Sequence, residues 1–108
     1  MSEESNSLNV MTLSQGLENL LHNALIQTAS GPELKLDPGL LQRLLAAIEK
    51  GVAYCRSEGF FRTAILCDPR IRRQLRRLIE KPFPHVAVIS YAEVAPGFIV
   101  NNLFTLEL

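Results

Sequence analysis

The 108-residue sequence predicts an α/β fold: a small mixed β-sheet of about four strands with three helices, in the order β-α-α-β-α-β-β. Three observations predict it. Asp-Pro occurs twice, at Asp37-Pro38 and Asp68-Pro69, and each time an amphipathic segment follows. Short apolar runs of strand length stand on either side of the second such segment, at residues 63–67 and 86–89. Near the start, Leu8-Asn9-Val10-Met11-Thr12-Leu13 alternates with period two, as a strand with one buried face does.

Residues 1–7 read as a flexible lead-in and residues 8–108 as a single α/β domain. After the first strand, Ser14 can cap a helix whose apolar stripe is Leu17, Leu20, Leu21, Ala24 and Leu25. Glu18 suits the positive end of its dipole. This helix is expected to fade near Thr28, before the breaker cluster Ser30-Gly31-Pro32. Leu34-Lys35-Leu36 then forms a short extended link.

Asp37 caps the longest helix, and Pro38 fits its first position because the missing N–H is one that the helix leaves unpaired anyway. Leu40, Leu41, Leu44, Leu45, Ile48 and Val52 recur at three- and four-residue spacing. Gly51 interrupts that stripe at a cost of about 1 kcal/mol relative to alanine, which calls for a packing reason. Ser57-Glu58-Gly59 ends the element.

A strand closing at Cys67 leads into the third helix, capped by Asp68 and stopped by Lys81-Pro82. Its residues Ile71, Leu75, Leu78 and Ile79 fall within about 100° of arc, and Arg70, Arg72, Arg73, Arg76 and Arg77 fill the other side. The run Val86-Ala87-Val88-Ile89 predicts a central strand covered on both faces. Pro96-Gly97 makes a turn before a last strand over residues 98–106, edge-like in its second half and returning antiparallel. The strands flanking the basic helix run parallel, as a β-α-β unit requires.

The formal charge is zero, but it is unevenly spread. Residues 1–58 carry four basic and seven acidic side chains, residues 59–108 seven basic and four acidic. The surplus sits on the third helix. No run reaches the roughly 20 apolar residues of a membrane span, and the acidic start Met1-Ser2-Glu3-Glu4 is unlike a secretory signal. Cys55 and Cys67 show neither disulfide nor metal spacing and read as reduced thiols of a cytosolic domain.

Four chemistries can be weighed. Cys67 followed six positions later by Arg73 has the layout of a cysteine-dependent phosphatase. The intervening Asp68, Pro69, Arg70, Ile71 and Arg72 include no glycine, remove one N–H and add a repelling carboxylate, so a buried strand-end cysteine is the better reading. The arginine face could meet nucleic-acid phosphates, an anionic membrane or an acidic protein. A neutral chain with no aromatic residue on that helix disfavours nucleic acid and favours a protein partner. His22 and His85 are isolated, so no metal or cofactor site is expected; Glu93 with Tyr91 lacks a second carboxylate.

Taken together, these stretches resemble the last cytosolic subdomain of the type III secretion export-gate family, the FlhA, SctV and LcrD proteins. The resemblance rests on the strand ending at Leu13 with Gly16-Leu17-Glu18-Asn19-Leu20-Leu21, and on Leu36-Asp37-Pro38-Gly39-Leu40. It is most specific at Asp68-Pro69-Arg70-Ile71-Arg72-Arg73-Gln74-Leu75-Arg76-Arg77-Leu78-Ile79-Glu80 and Pro84-His85-Val86-Ala87-Val88-Ile89-Ser90-Tyr91-Ala92-Glu93-Val94. Ser90-Tyr91 and Leu103-Phe104 stand closer to the virulence branch than to the flagellar one. The resemblance implies a non-enzymatic docking and gating subdomain at the cytoplasmic face of the bacterial inner membrane. Its implied partners are secretion chaperones, export substrates and gatekeeper proteins. It also implies a nonameric ring for the full-length protein and a soluble monomer for this piece alone.

Overall fold

The computed structural model describes residues 7–108. The first strand, β1 (Ser7–Leu13), begins one residue inside the expected lead-in; residues 1–6 lie outside the described part. Ser14 caps α1 (Gln15–Asn23), its hydroxyl accepting from the Leu17 N–H at 3.2 Å. Helix α1 then stops short of the expected Thr28. Residues Leu25–Thr28 (β2) and Gly31–Leu34 (β3) form an antiparallel hairpin instead. Gly31, at φ +109°, takes up the left-handed geometry of the turn, and the Thr28 hydroxyl donates to its carbonyl at 2.6 Å. Leu25 lies opposite Leu34, and both pack on the core. That cross-strand pair outweighs the helical register that seemed to extend α1.

Helix α2 (Pro38–Ser57) has the expected bounds, with the Asp37 carboxylate accepting from the Leu40 N–H at 2.7 Å. Strand β4 (Ala64–Cys67), helix α3 (Pro69–Ile79) and strand β5 (Ala87–Ser90) follow. A single 3₁₀ turn over Tyr91–Glu93 precedes β6 (Ile99–Leu106).

The main sheet has the order β5-β4-β1-β6, and every neighbouring pair is parallel. The last strand therefore does not return antiparallel; the antiparallel pairing of this mixed fold resides in the hairpin. Strand β5 is an edge and not the central strand that its apolar run suggested. The central strands are β1 and β4. Edge strand β6 is exposed in its first half and buried at Leu106, the reverse of the expected gradient.

Steps from β1 to β4 to β5 run in one direction, so right-handed crossovers place all three helices on one face. The core confirms this. Met11 and Leu13 of β1, Ile65 and Cys67 of β4, Val88 of β5 and Leu106 of β6 meet Leu21, Leu44, Ile48, Ile71, Leu75 and Ile79 from the helices. Gly51 has its packing reason here. A Cβ added to it would lie 2.8 Å from Met11 Sδ and 2.9 Å from Phe104 Cδ2, so α2 rests directly on β1 and β6.

Two parallel strands joined by only the eight residues 91–98 require a connection that runs back across the sheet. The same handedness rule sends it over the face opposite the helices, the face that carries the buried Val10 (1 % exposed) and Leu66 (7 %).

Candidate partner-docking face

Helix α3 begins where Asp68 leaves β4. Its carboxylate accepts from the Arg70 N–H at 2.8 Å, which lowers its pKa below the usual carboxylate value. Burying Ile71, Leu75 and Ile79 at four-residue spacing fixes the rotation of the helix, and that rotation divides the five arginines into two rows.

The inner row is Arg72 and Arg76, both half-buried. Arg76 donates to the Val86 carbonyl at 3.3 Å, and Arg72 makes a longer contact, 3.5 Å, with the Val88 carbonyl. The two guanidinium groups thus lie along the open edge of β5 and block it against further strand pairing. Arg72 also pairs with Glu93 at 3.2 Å, whose carboxylate accepts from the Ser90 N–H at 2.7 Å. These contacts tie both arginines to the sheet edge.

The outer row is Arg70, Arg73 and Arg77, all exposed. Arg70 leans on its own cap residue at 3.3 Å, with three-quarters of its side chain open to solvent. Among the described residues, no ion pair involves Arg73 or Arg77. Beside this row stands the hairpin, held by Gln74 donating to the Pro32 carbonyl at 3.4 Å. Ser30, Pro32, Arg70, Arg73 and Arg77, with Arg72 from the inner row, line a hollow of about 280 Å³. Sequence reasoning missed the hairpin wall. The breaker cluster Ser30-Gly31-Pro32 marked the turn, but the apolar spacing before it read as helix and hid the strands on either side.

Cys67 does not serve the phosphatase layout. Its side chain is fully buried, and its thiol is pushed up to about 12 by that burial, with Glu18 and Asp68 adding and Arg72 only partly opposing. A phosphatase thiolate needs the opposite shift. The carboxyl end of the sheet, where α/β folds commonly hold ligands, is instead occupied by ties between elements. Tyr91 donates to Glu18 at 3.0 Å, Arg72 meets Glu93, and His22 stands 3.7 Å from Asp68. Burial and the Glu18 contact push the Tyr91 phenol up to about 12 as well. Among the described residues no cluster of His, Cys, Asp and Glu could hold a metal, and no helix is long and apolar enough to cross a membrane.

The sequence profile of the FHIPEP family matches residues 1–98. The chain belongs to that family. It is 28 % identical to the flagellar biosynthesis protein FlhA of Bacillus subtilis over 99 % of its own length, and to MxiA of Shigella flexneri over 94 %. Equal identity to both leaves the flagellar and virulence branches undivided. The chain spans only 16 % of that FlhA and 15 % of that MxiA. Among solved structures, CdsV of Chlamydia pneumoniae superposes with a TM-score of 0.81 at 28 % identity, covering 94 % of this chain and 29 % of CdsV. CdsV in complex with CdsO gives 0.77, at 28 % identity and covering 94 % of this chain and 30 % of CdsV. The nonameric SctV-C of EPEC gives 0.80 at 27 % identity, covering 97 % of this chain and 31 % of SctV-C. This FHIPEP chain therefore corresponds to the C-terminal subdomain of the FlhA/SctV proteins, which belong to flagellar and type III secretion export.

Proposed function

We propose that the chain is a non-enzymatic docking and gating subdomain of a type III secretion export gate. Residues 8–108 act as one α/β domain, and the outer face of α3 receives acidic surfaces of export partners. The observation that carries this reading is the alignment of Arg70, Arg73 and Arg77 along one exposed stripe beside the hairpin, while Arg72 and Arg76 are spent on the sheet edge. A row of exposed guanidinium groups attracts carboxylates and phosphates, with specificity and association rate set by charge complementarity. Family membership selects among the partners such a row could meet: secretion chaperones with their cargo, gatekeeper proteins, or a protein in the role that CdsO has beside CdsV. The full-length protein would stand at the cytoplasmic face of the inner membrane and close into a nine-membered ring like that of SctV-C. This piece alone would be a monomer.

The test is the affinity of the chain for an acidic secretion chaperone loaded with cargo. Arg73→Glu with Arg77→Glu should weaken it by about tenfold or more, about 1.4 kcal/mol. The melting temperature should move little, because exposed substitutions usually change stability by about 0.5 kcal/mol or less. Unchanged affinity would overturn the assignment.

A further inference from the structure

A second surface, at the opposite end of the sheet from the α3 cap, has a different chemistry. Helix α2 ends in a Schellman turn: Gly59 at φ +91° lets its own N–H reach the Arg56 carbonyl at 2.9 Å and the Phe60 N–H reach that of Cys55 at 2.8 Å. That reversal turns the chain back and carries Phe60 and Phe61 alongside the last turns of α2. Phe60 packs against the core, whereas Phe61 is left 72 % exposed, the most open of the large apolar side chains.

Across from them runs the segment Pro82-Phe83-Pro84 between α3 and β5, with Phe83 packed on the core. Between the two walls lies a groove of about 630 Å³ floored by Val52, Ala53, Phe83 and Val86. A second hollow of about 610 Å³ continues it toward the start of β1 and shares Arg56, Phe61, Thr63 and His85. The polar rim is dominated by positive or ionisable nitrogen. Among the described residues, Arg56, Arg62 and His85 stand around the two hollows, with Glu49 the one carboxylate lining them. Among the described residues no ion pair engages Arg56 or Arg62.

We propose that this groove is a docking site for a short acidic peptide segment carrying aromatic or aliphatic anchors. Its apolar side chains would fill the space between Phe61 and the Pro82–Pro84 wall, and its carboxylates would meet Arg56 and Arg62. Apolar floor and cationic rim together select that occupant. A purely apolar segment would leave the two guanidinium groups without partners, and a basic one would be repelled by them. The site is separate from the α3 face, so each can fail independently.

The probe is a short fluorescein-labelled peptide of glutamate interspersed with leucine and phenylalanine, beside a counterpart with lysine in place of glutamate. Binding is read by anisotropy, and its location by amide shifts of the ¹⁵N-labelled chain. The proposal expects binding of the glutamate peptide alone, shifts over residues 52–62 and 82–86, and about tenfold or greater weakening in Phe61→Glu with Arg62→Glu. Arg56→Glu, on an already folded helix surface, should weaken binding in the same direction. The Arg73→Glu, Arg77→Glu chain should bind as the parent does. Four results would overturn the proposal. These are equal binding of both peptides, no binding of either, shifts confined to α3, or loss of binding in the complete cytosolic region, where the rest of the polypeptide would then be the occupant.

Discussion

Gly51→Ala offers a test in which the sign alone decides. Helix propensity favours alanine over glycine in a helix interior by about 1 kcal/mol, so on sequence grounds the substitution should stabilise α2. The fold opposes it. The new methyl would sit 2.8 Å from Met11 Sδ, 2.9 Å from Phe104 Cδ2 and 3.2 Å from Leu106 Cδ2, where ordinary carbon contacts need about 3.5–4.0 Å. Met11 and Leu106 are both fully buried, so neither can move out toward solvent without disturbing the core. Phe104 can swing outward only by giving up its ring contact with Tyr54, at 5.6 Å between centroids. Overpacking of this kind costs about 1–3 kcal/mol. Set against the propensity gain, the net is a loss of about 1 kcal/mol. A domain of this size should show it as a fall of about 4–8 °C in melting temperature. Gly39→Ala is the control, because its nearest neighbour is Asp37 Oδ1 at 3.5 Å and nothing must move. Equilibrium urea unfolding and calorimetry on both variants measure the difference. If Gly51→Ala raised stability as Gly39→Ala is expected to, the close seating of α2 on β1 and β6 would be refuted.

Three further outcomes are expected. Leu75→Ala, at a fully buried position, should cost about 2–5 kcal/mol in urea unfolding, while Arg73→Ala at the exposed row should stay within about 0.5 kcal/mol of the parent. Asp68→Ala should cost about 1 kcal/mol through the lost cap. Because the folded-state pKa of Asp68 is lowered, its contribution is present above the unfolded value near 3.8 and disappears as pH falls through the lower folded value. The parent should therefore lose, toward acid, stability that the Ala variant already lacks. For Cys67 the shift is upward, to about 12 from 9.0, so the folded thiol stays protonated where an unfolded one ionises. Stability should decline as pH rises above 9.0, and iodoacetamide at pH 8 should label Cys67 only on unfolding, as mass spectrometry would show.

Local chemistry made much of the fold legible. Both Asp-Pro caps, the Ser14 cap and the bounds of α2 and α3 follow from residues within one turn of each boundary. What was misjudged depended on distant partners. The stretch after Asn23 carries helical spacing, yet Leu25 is claimed by Leu34 across a hairpin. The apolar run of β5 reads as a central strand, yet β5 lies at the sheet edge, where arginine side chains and not another strand meet the Val86 and Val88 carbonyls. The direction of β6 turns on a crossing of the sheet by residues 91–98, which no periodicity records. The site was legible as a set and not in its parts. Five arginines could be placed on one side of a helix, but only the packing of Ile71, Leu75 and Ile79 separates the edge-blocking pair from the exposed row.

The central claim is that this exposed row meets the partner. It is tested most directly by amide chemical shifts of the ¹⁵N-labelled chain titrated with an acidic, cargo-loaded secretion chaperone. The account predicts the largest changes over residues 69–77 and at the hairpin tip, residues 28–32, fading as salt is raised. Saturable binding with α3 and the hairpin undisturbed would contradict it.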